Sequence, residues 1–182
     1  MALKSIGDLK LRSGKILKDV KIAYHTYGKL NSSADNVLII CHALTGDHYP
    51  GRFGELKGWW ESLVGPGKVI DPQHFFIVCS NILGGCYGST GPSSLDPDTG
   101  APYSMNFPVI EFADAVKAQV KLVQKLEIKK VRAVVGGSMG GMQVLEWGIQ
   151  EEIPVEKLIV LAAPPKSSPF VIAFHEIQRQ AI

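Results

Sequence analysis

The residue with the clearest chemical potential is Ser138, which sits in Gly136-Gly137-Ser138-Met139-Gly140 and so satisfies the pattern G-x-S-x-G. A serine hydroxyl is a weak nucleophile unless a tight turn holds it out where a base can reach it. Glycines two residues to either side remove the Cβ atoms that would block such a turn. The apolar run Val131 to Val135 before the motif reads as a strand, and the segment from Met139 to about Gln150 reads as a helix. In that setting the positive helix end faces a developing oxyanion, and the backbone N–H of Met139 is a donor for it. The chemistry expected is acyl transfer with Ser138 as the nucleophile.

A second donor is expected from the loop after an earlier central strand. Cys41-His42-Ala43-Leu44-Thr45-Gly46 closes the apolar run Val37 to Cys41, and the N–H of Leu44 is the candidate. Rival chemistries fit less well. Glycines between a strand and a helix also cradle phosphates, but neither G-x-G-x-x-G nor G-x-x-x-x-G-K-[ST] occurs in the chain. His42, Asp47 and His48 do not have a metal-ligand spacing, so no metal site is expected. Cys86 has no histidine placed beside it by the sequence and is read as a packed or exposed thiol, not a reactive one.

The elements that must position these residues follow from apolar periodicity. Leu9 to Leu11 and Val20 to Tyr27 alternate with period two around Ser13-Gly14, which predicts antiparallel strands at one sheet edge. Val37 to Cys41, Phe75 to Cys79, Val131 to Val135 and Leu158 to Leu161 are continuously apolar instead. Strands of that kind belong to a parallel sheet covered on both faces. Phe112, Val116, Val120 and Val123 mark an amphipathic helix from about Ile110 to Leu126, with Lys117, Lys121 and Lys125 on a face read as solvated. The helix after Ser138 carries so little polar surface that it should be buried in the middle of the fold. Between Cys79 and Phe107 runs a long loop rich in Gly, Pro, Ser and Asp, a length usually reserved for function or disorder.

The 182 residues suffice for one sizeable core, and no internal boundary or repeat divides them. A net charge of +2, from 19 basic and 17 acidic residues spread along the chain, gives no electrostatic case for nucleic acid or a membrane surface. Three cysteines suit a reducing compartment, and neither a signal peptide nor a membrane span is apparent, so a cytoplasmic protein is expected.

One part of the chemistry is missing. A nucleophile of this kind is followed in the chain by an acid and then a histidine. After Ser138 there is no aspartate, Glu146, Glu151, Glu152 and Glu156 come too early, and the only histidine is His175, in an apparently helical segment from Phe170. The acid and base are therefore expected beyond Ile182. The chain alone should be nearly inactive, since loss of the base costs roughly 10⁶ in turnover. A sheet cut after Leu161 should also leave an open edge prone to aggregation.

Four strings carry a resemblance to a known family: His42-Ala43-Leu44-Thr45-Gly46, Gly58-Trp59-Trp60 through Gly65-Pro66-Gly67-Lys68, NILGGCYGSTGP from Asn81 to Pro92, and GGSMGGMQVLEW from Gly136 to Trp147. Together they resemble the homoserine O-acetyltransferases over nearly the whole chain. The resemblance implies an α/β-hydrolase fold, with a mostly parallel central sheet and helices on both faces. Residues 1–182 would form the N-terminal part of a single domain, ending before the lid and the C-terminal strands. It implies that Ser138 takes an acetyl group from acetyl-CoA and passes it to the hydroxyl of L-homoserine through an acyl-serine, a step of methionine biosynthesis. Acetyl-CoA is then a co-substrate, with no resident cofactor, and the full-length form is expected to be a homodimer. The family's catalytic Asp and His, and its arginine for the homoserine carboxylate, have no counterparts here. Alternatives are an O-succinyltransferase, a serine O-acetyltransferase, a plain esterase, or a non-catalytic remnant serving as an interaction module.

Overall fold

The computed structural model describes residues 2–181. The alternating N-terminal segment forms two long antiparallel strands, β1 (Ala2–Lys10) and β2 (Ile16–Tyr27), joined across the turn at Ser13-Gly14. Both run further than their apolar residues suggest, because backbone pairing continues through polar positions, with a register irregularity around Gly7. The short apolar runs form β3 (Val37–Cys41), β4 (Phe76–Ser80), β5 and β6 (Leu158–Leu161). The fifth strand is Ala133–Gly137, two residues later than its apolar run. Gly136 and Gly137 still pair with Cys41 and Leu161, whereas Val131 makes only an isolated bridge to Val155. The sheet order is β1-β2-β4-β3-β5-β6, with β4, β3, β5 and β6 mutually parallel and β1 and β2 antiparallel at one edge.

The described residues also form three α-helices, α1 (Phe112–Lys125), α2 (Met139–Trp147) and α3 (Pro169–Gln180). The α1 stripe Val116, Val120 and Val123 packs with Val144 and Trp147 of α2 against Val37, Ile39, Cys41 and Val134. On the other face Leu38, Ile40, Ile77 and Val135 lie under Val64, Ile70, Trp59, Trp60 and Phe75. A helix was expected on that face as well. Its cover is instead a turn-rich segment, residues 47–75, in which Pro50, Gly51, Gly58, Pro66 and Gly67 interrupt any helical run while the aromatic rings supply apolar area.

Helix α2 is also shorter and less enclosed than its composition suggests. It stops before Gly148, and only the face carrying Gly140, Gly141, Gln143, Val144 and Trp147 is buried. Met142 and Leu145 are half-buried and Ile149 is exposed, because α1 and the sheet reach one side of the helix only. Nor is the lysine row of α1 merely solvated. Lys117 Nζ donates to Lys10 O at 2.9 Å and Lys121 Nζ to Asp8 O at 2.7 Å, so two lysines of the row tie α1 to β1, while Lys125 is exposed. Among the described residues, no helix is long and apolar enough to cross a membrane.

Candidate active site

Ser138 occupies the single residue between β5 and α2, with φ 54° and ψ −122°. A non-glycine residue in this region costs of order 1–3 kcal/mol and persists only where its surroundings impose it. Two backbone bonds do so here. Ser138 N–H donates to Leu161 O of β6 at 3.0 Å, and Ser138 O accepts from Met142 N–H at 3.2 Å to start the helix. The side chain does not cap α2, and the residue is exposed.

The flanking glycines are required for close approach. A Cβ on Gly140 would lie 2.1 Å from Cys41 O, and one on Gly136 would lie 2.5 Å from Gly140 C and 2.9 Å from Cys41 O. The start of α2 is thus pressed against the end of β3, which brings the Leu44 loop to the same place. Ala43 O accepts from Gly46 N–H at 3.0 Å and so closes the turn that carries Leu44. Leu44 and Met139 line one cavity of about 480 Å³, together with Asn81, Gly85, Cys86 and Tyr87 of the long loop. Ser138 is not in the lining; it stands beside it. The first N–H groups of α2 have no acceptor inside the helix, and among the described residues the Leu44 N–H has no backbone acceptor, so both remain available to a ligand oxygen.

The long loop is ordered by β2. Thr90 N–H donates to Lys21 O at 2.8 Å, Lys21 N–H returns a bond to Thr90 Oγ1 at 2.9 Å, and Ser89 Oγ accepts from Ala23 N–H at 3.1 Å. His42 ties this loop to the Leu44 turn. Its Nε2 accepts from Ile82 N–H at 3.0 Å while Nδ1–H donates to Ala43 O at 2.8 Å. Burial lowers the His42 pKa, outweighing the bond to Ala43 and the nearby charge of Asp47, so the ring is neutral with both nitrogens engaged. It therefore has no free nitrogen with which to serve as a base for Ser138 or as a metal ligand. Burial likewise pushes the Cys41 thiol up to about 12 and the Cys79 thiol well above its usual range, whereas Cys86 is exposed at the cavity.

Sequence reasoning missed a buried polar chain behind the site. Trp147 Nε1–H donates to Gln119 Oε1 at 2.7 Å, and Gln119 Nε2 donates to Gln143 Oε1 at 2.7 Å. Gln143 Nε2 then donates to His42 O at 3.2 Å and to Met139 O at 3.4 Å. The available signal was two amides lying among the apolar residues of α1 and α2.

The strained serine lies on a strand-to-helix turn beside the end of a second strand, and residues 36–180 around it match the alpha/beta hydrolase fold family. The chain belongs to that family. Within it, the chain is 53% identical over 178 residues to a homoserine O-acetyltransferase of Methanosalsum zhilinae, covering 96% of this chain and 36% of that one. Among solved structures it superposes on the homoserine O-acetyltransferase from Bacillus anthracis with a TM-score of 0.86 at 31% identity, over 93% of this chain and 48% of that chain. It superposes on esterase E22 with a TM-score of 0.89 at 33% identity, over 97% and 50%. The chain thus spans between about a third and a half of the length of these relatives.

Proposed function

We propose that the full-length protein transfers an acetyl group from acetyl-CoA to the hydroxyl of L-homoserine, with Ser138 as the acyl carrier. The observation that carries this reading is the Ser138 turn, held at φ 54° beside a cavity into which Leu44 and Met139 both face. Close identity to proteins named homoserine O-acetyltransferase supports the choice of substrates.

In the first step Ser138 Oγ attacks the thioester carbonyl, its proton passes to a base, and the carbonyl oxygen becomes an oxyanion facing the N–H groups of Leu44 and Met139. Collapse breaks the C–S bond and the CoA thiolate leaves with a proton. In the second step the homoserine hydroxyl loses its proton to the same base and attacks the acetyl ester, which releases Ser138 and O-acetylhomoserine. The reading assigns the base and its orienting acid to the rest of the full-length protein. The reading places the protein in the cytoplasm, in methionine biosynthesis, as a homodimer without a resident cofactor or metal.

The test is to supply the full-length protein with acetyl-CoA or succinyl-CoA and with L-homoserine or L-serine. Thiol release from acetyl-CoA that depends on homoserine is the expected result, while equal rates with succinyl-CoA or serine would reassign the substrates. The likeness to esterase E22 favours one second reading, simple ester hydrolysis. Acetyl-ester cleavage unaffected by any acceptor would establish it.

A further inference from the structure

We propose that Gln143 is a positioning residue for the acyl-transfer site, holding the two backbone segments that carry the oxyanion donors in one register. The proposal rests on the acyl-transfer reading above and assigns a role within that site.

The geometry is specific to these two segments. A single amide nitrogen, in a side chain with 0% exposure, donates both to His42 O, one peptide before the Leu44 N–H, and to Met139 O, on the residue whose own N–H is the other donor. The β3–β5 ladder ends at the Cys41–Gly136 pair and Gly140 packs on Cys41 O, so beyond the strand ends Gln143 adds a side-chain bond that joins the β3 loop to the first turn of α2. Gln143 can do this in one orientation only, because a flipped amide would set its oxygen against two carbonyl oxygens.

What fixes the orientation is the chain behind it. An indole N–H is donor-only, so Trp147 requires oxygen at its end of Gln119, and this turns Gln119 Nε2 toward Gln143 Oε1. That contact in turn leaves Gln143 Nε2 for the carbonyls. Trp147 and Gln143 are 0% exposed and Gln119 is 3% exposed, so water does not compete for these bonds. Three buried side chains on two helices thereby settle the direction of one NH2 group. The mechanism itself requires none of them to touch substrate.

The test uses Gln143→Met, which keeps the length and apolar volume but removes the donor, in the full-length protein. Removing a whole oxyanion donor costs about 10²–10³ in kcat, so loss of its positioning should lower kcat by roughly 10-fold or more while KM for acetyl-CoA moves less than about twofold. Backbone amide exchange over residues 42–46 should quicken at least about fivefold relative to α1. Gln119→Met, which frees the Gln143 amide to flip, should shift both readings the same way, and it decides the matter if the first variant does not fold. Wild-type kcat, or unchanged exchange over 42–46, overturns the proposal. If the unmutated protein transfers no acyl group, the acyl-transfer reading fails by itself, and exchange alone then decides whether Gln143 tethers the two segments.

Discussion

Ser138 is in a conformation that no ordinary side chain prefers, so stability and chemistry should pull in opposite directions at this position. In the full-length protein Ser138→Gly should raise the unfolding free energy by about 1 kcal/mol, by relieving the positive φ, while abolishing the proposed acyl transfer. Urea unfolding beside an activity assay checks both, and a less stable glycine variant would show that the turn is not strained. At Gly140 the balance reverses. Gly140→Ala places a methyl group 2.1 Å from Cys41 O and should lower stability by at least about 1–3 kcal/mol, seen as a lower denaturant midpoint. The thiols separate in the same way by position. Cys41 and Cys79 are buried and held protonated, so the native chain should consume one equivalent of a thiol reagent quickly, at Cys86, and all three cysteines should react once it is denatured.

At the scale of elements, what the sequence revealed was whatever depends on apolar pattern or on a steric rule. Val37 to Cys41 and Leu158 to Leu161 are strands to the residue, and the Ser138 turn lies where the glycines put it. The pattern failed where backbone pairing outruns apolarity, as in β5, whose last two residues are glycines, and in β1, most of whose residues are exposed. It failed again over residues 47–75, where aromatic rings on turns do the covering that a helix was expected to do. The candidate site was legible as Ser138, Met139 and Leu44 because glycine spacing betrays a close approach. Gln119, Gln143 and the paired nitrogens of His42 were not, since a hydrogen bond across 101 residues, as between Gln143 and His42, leaves no local trace. These long-range ties have a pH signature. Burial lowers the pKa of His25, His42 and His48, so below the ordinary imidazole value near 6.5 the unfolded chain takes up protons that the folded chain refuses. Stability should therefore be full above about pH 6.5 and fall as the pH drops toward the depressed folded values. Thermal melts between neutral and mildly acidic pH measure this. In His42→Asn the slope should be shallower, and an unchanged slope would show that His42 takes no part in it.

Across the whole molecule the sheet is unevenly finished. At the β1 edge Lys117 and Lys121 of α1 hold the carbonyls of Lys10 and Asp8, whereas at β6 Leu158, Ile159 and Leu161 remain about 41–42% exposed, and α3 presents Phe170, Ile172, Phe174 and Ile177 to solvent. Exposed apolar residues concentrated on neighbouring elements drive association, so the 182-residue chain should self-associate as concentration rises. Light scattering that stays at the monomer value would count against this. The candidate nucleophile Ser138 and the proposed oxyanion donors of Leu44 and Met139 are organised from within the ends of β3 and β5 and the start of α2, and the histidine lining the cavity, His42, is spent on holding loops together. The most direct measurement is to mix full-length protein with acetyl-CoA in the absence of acceptor, quench it, and map the acetyl group by peptide mass. Acetylation confined to the peptide containing Ser138, and discharged on adding L-homoserine, is the expected result. Turnover with no acetyl group on Ser138 at any time would contradict it.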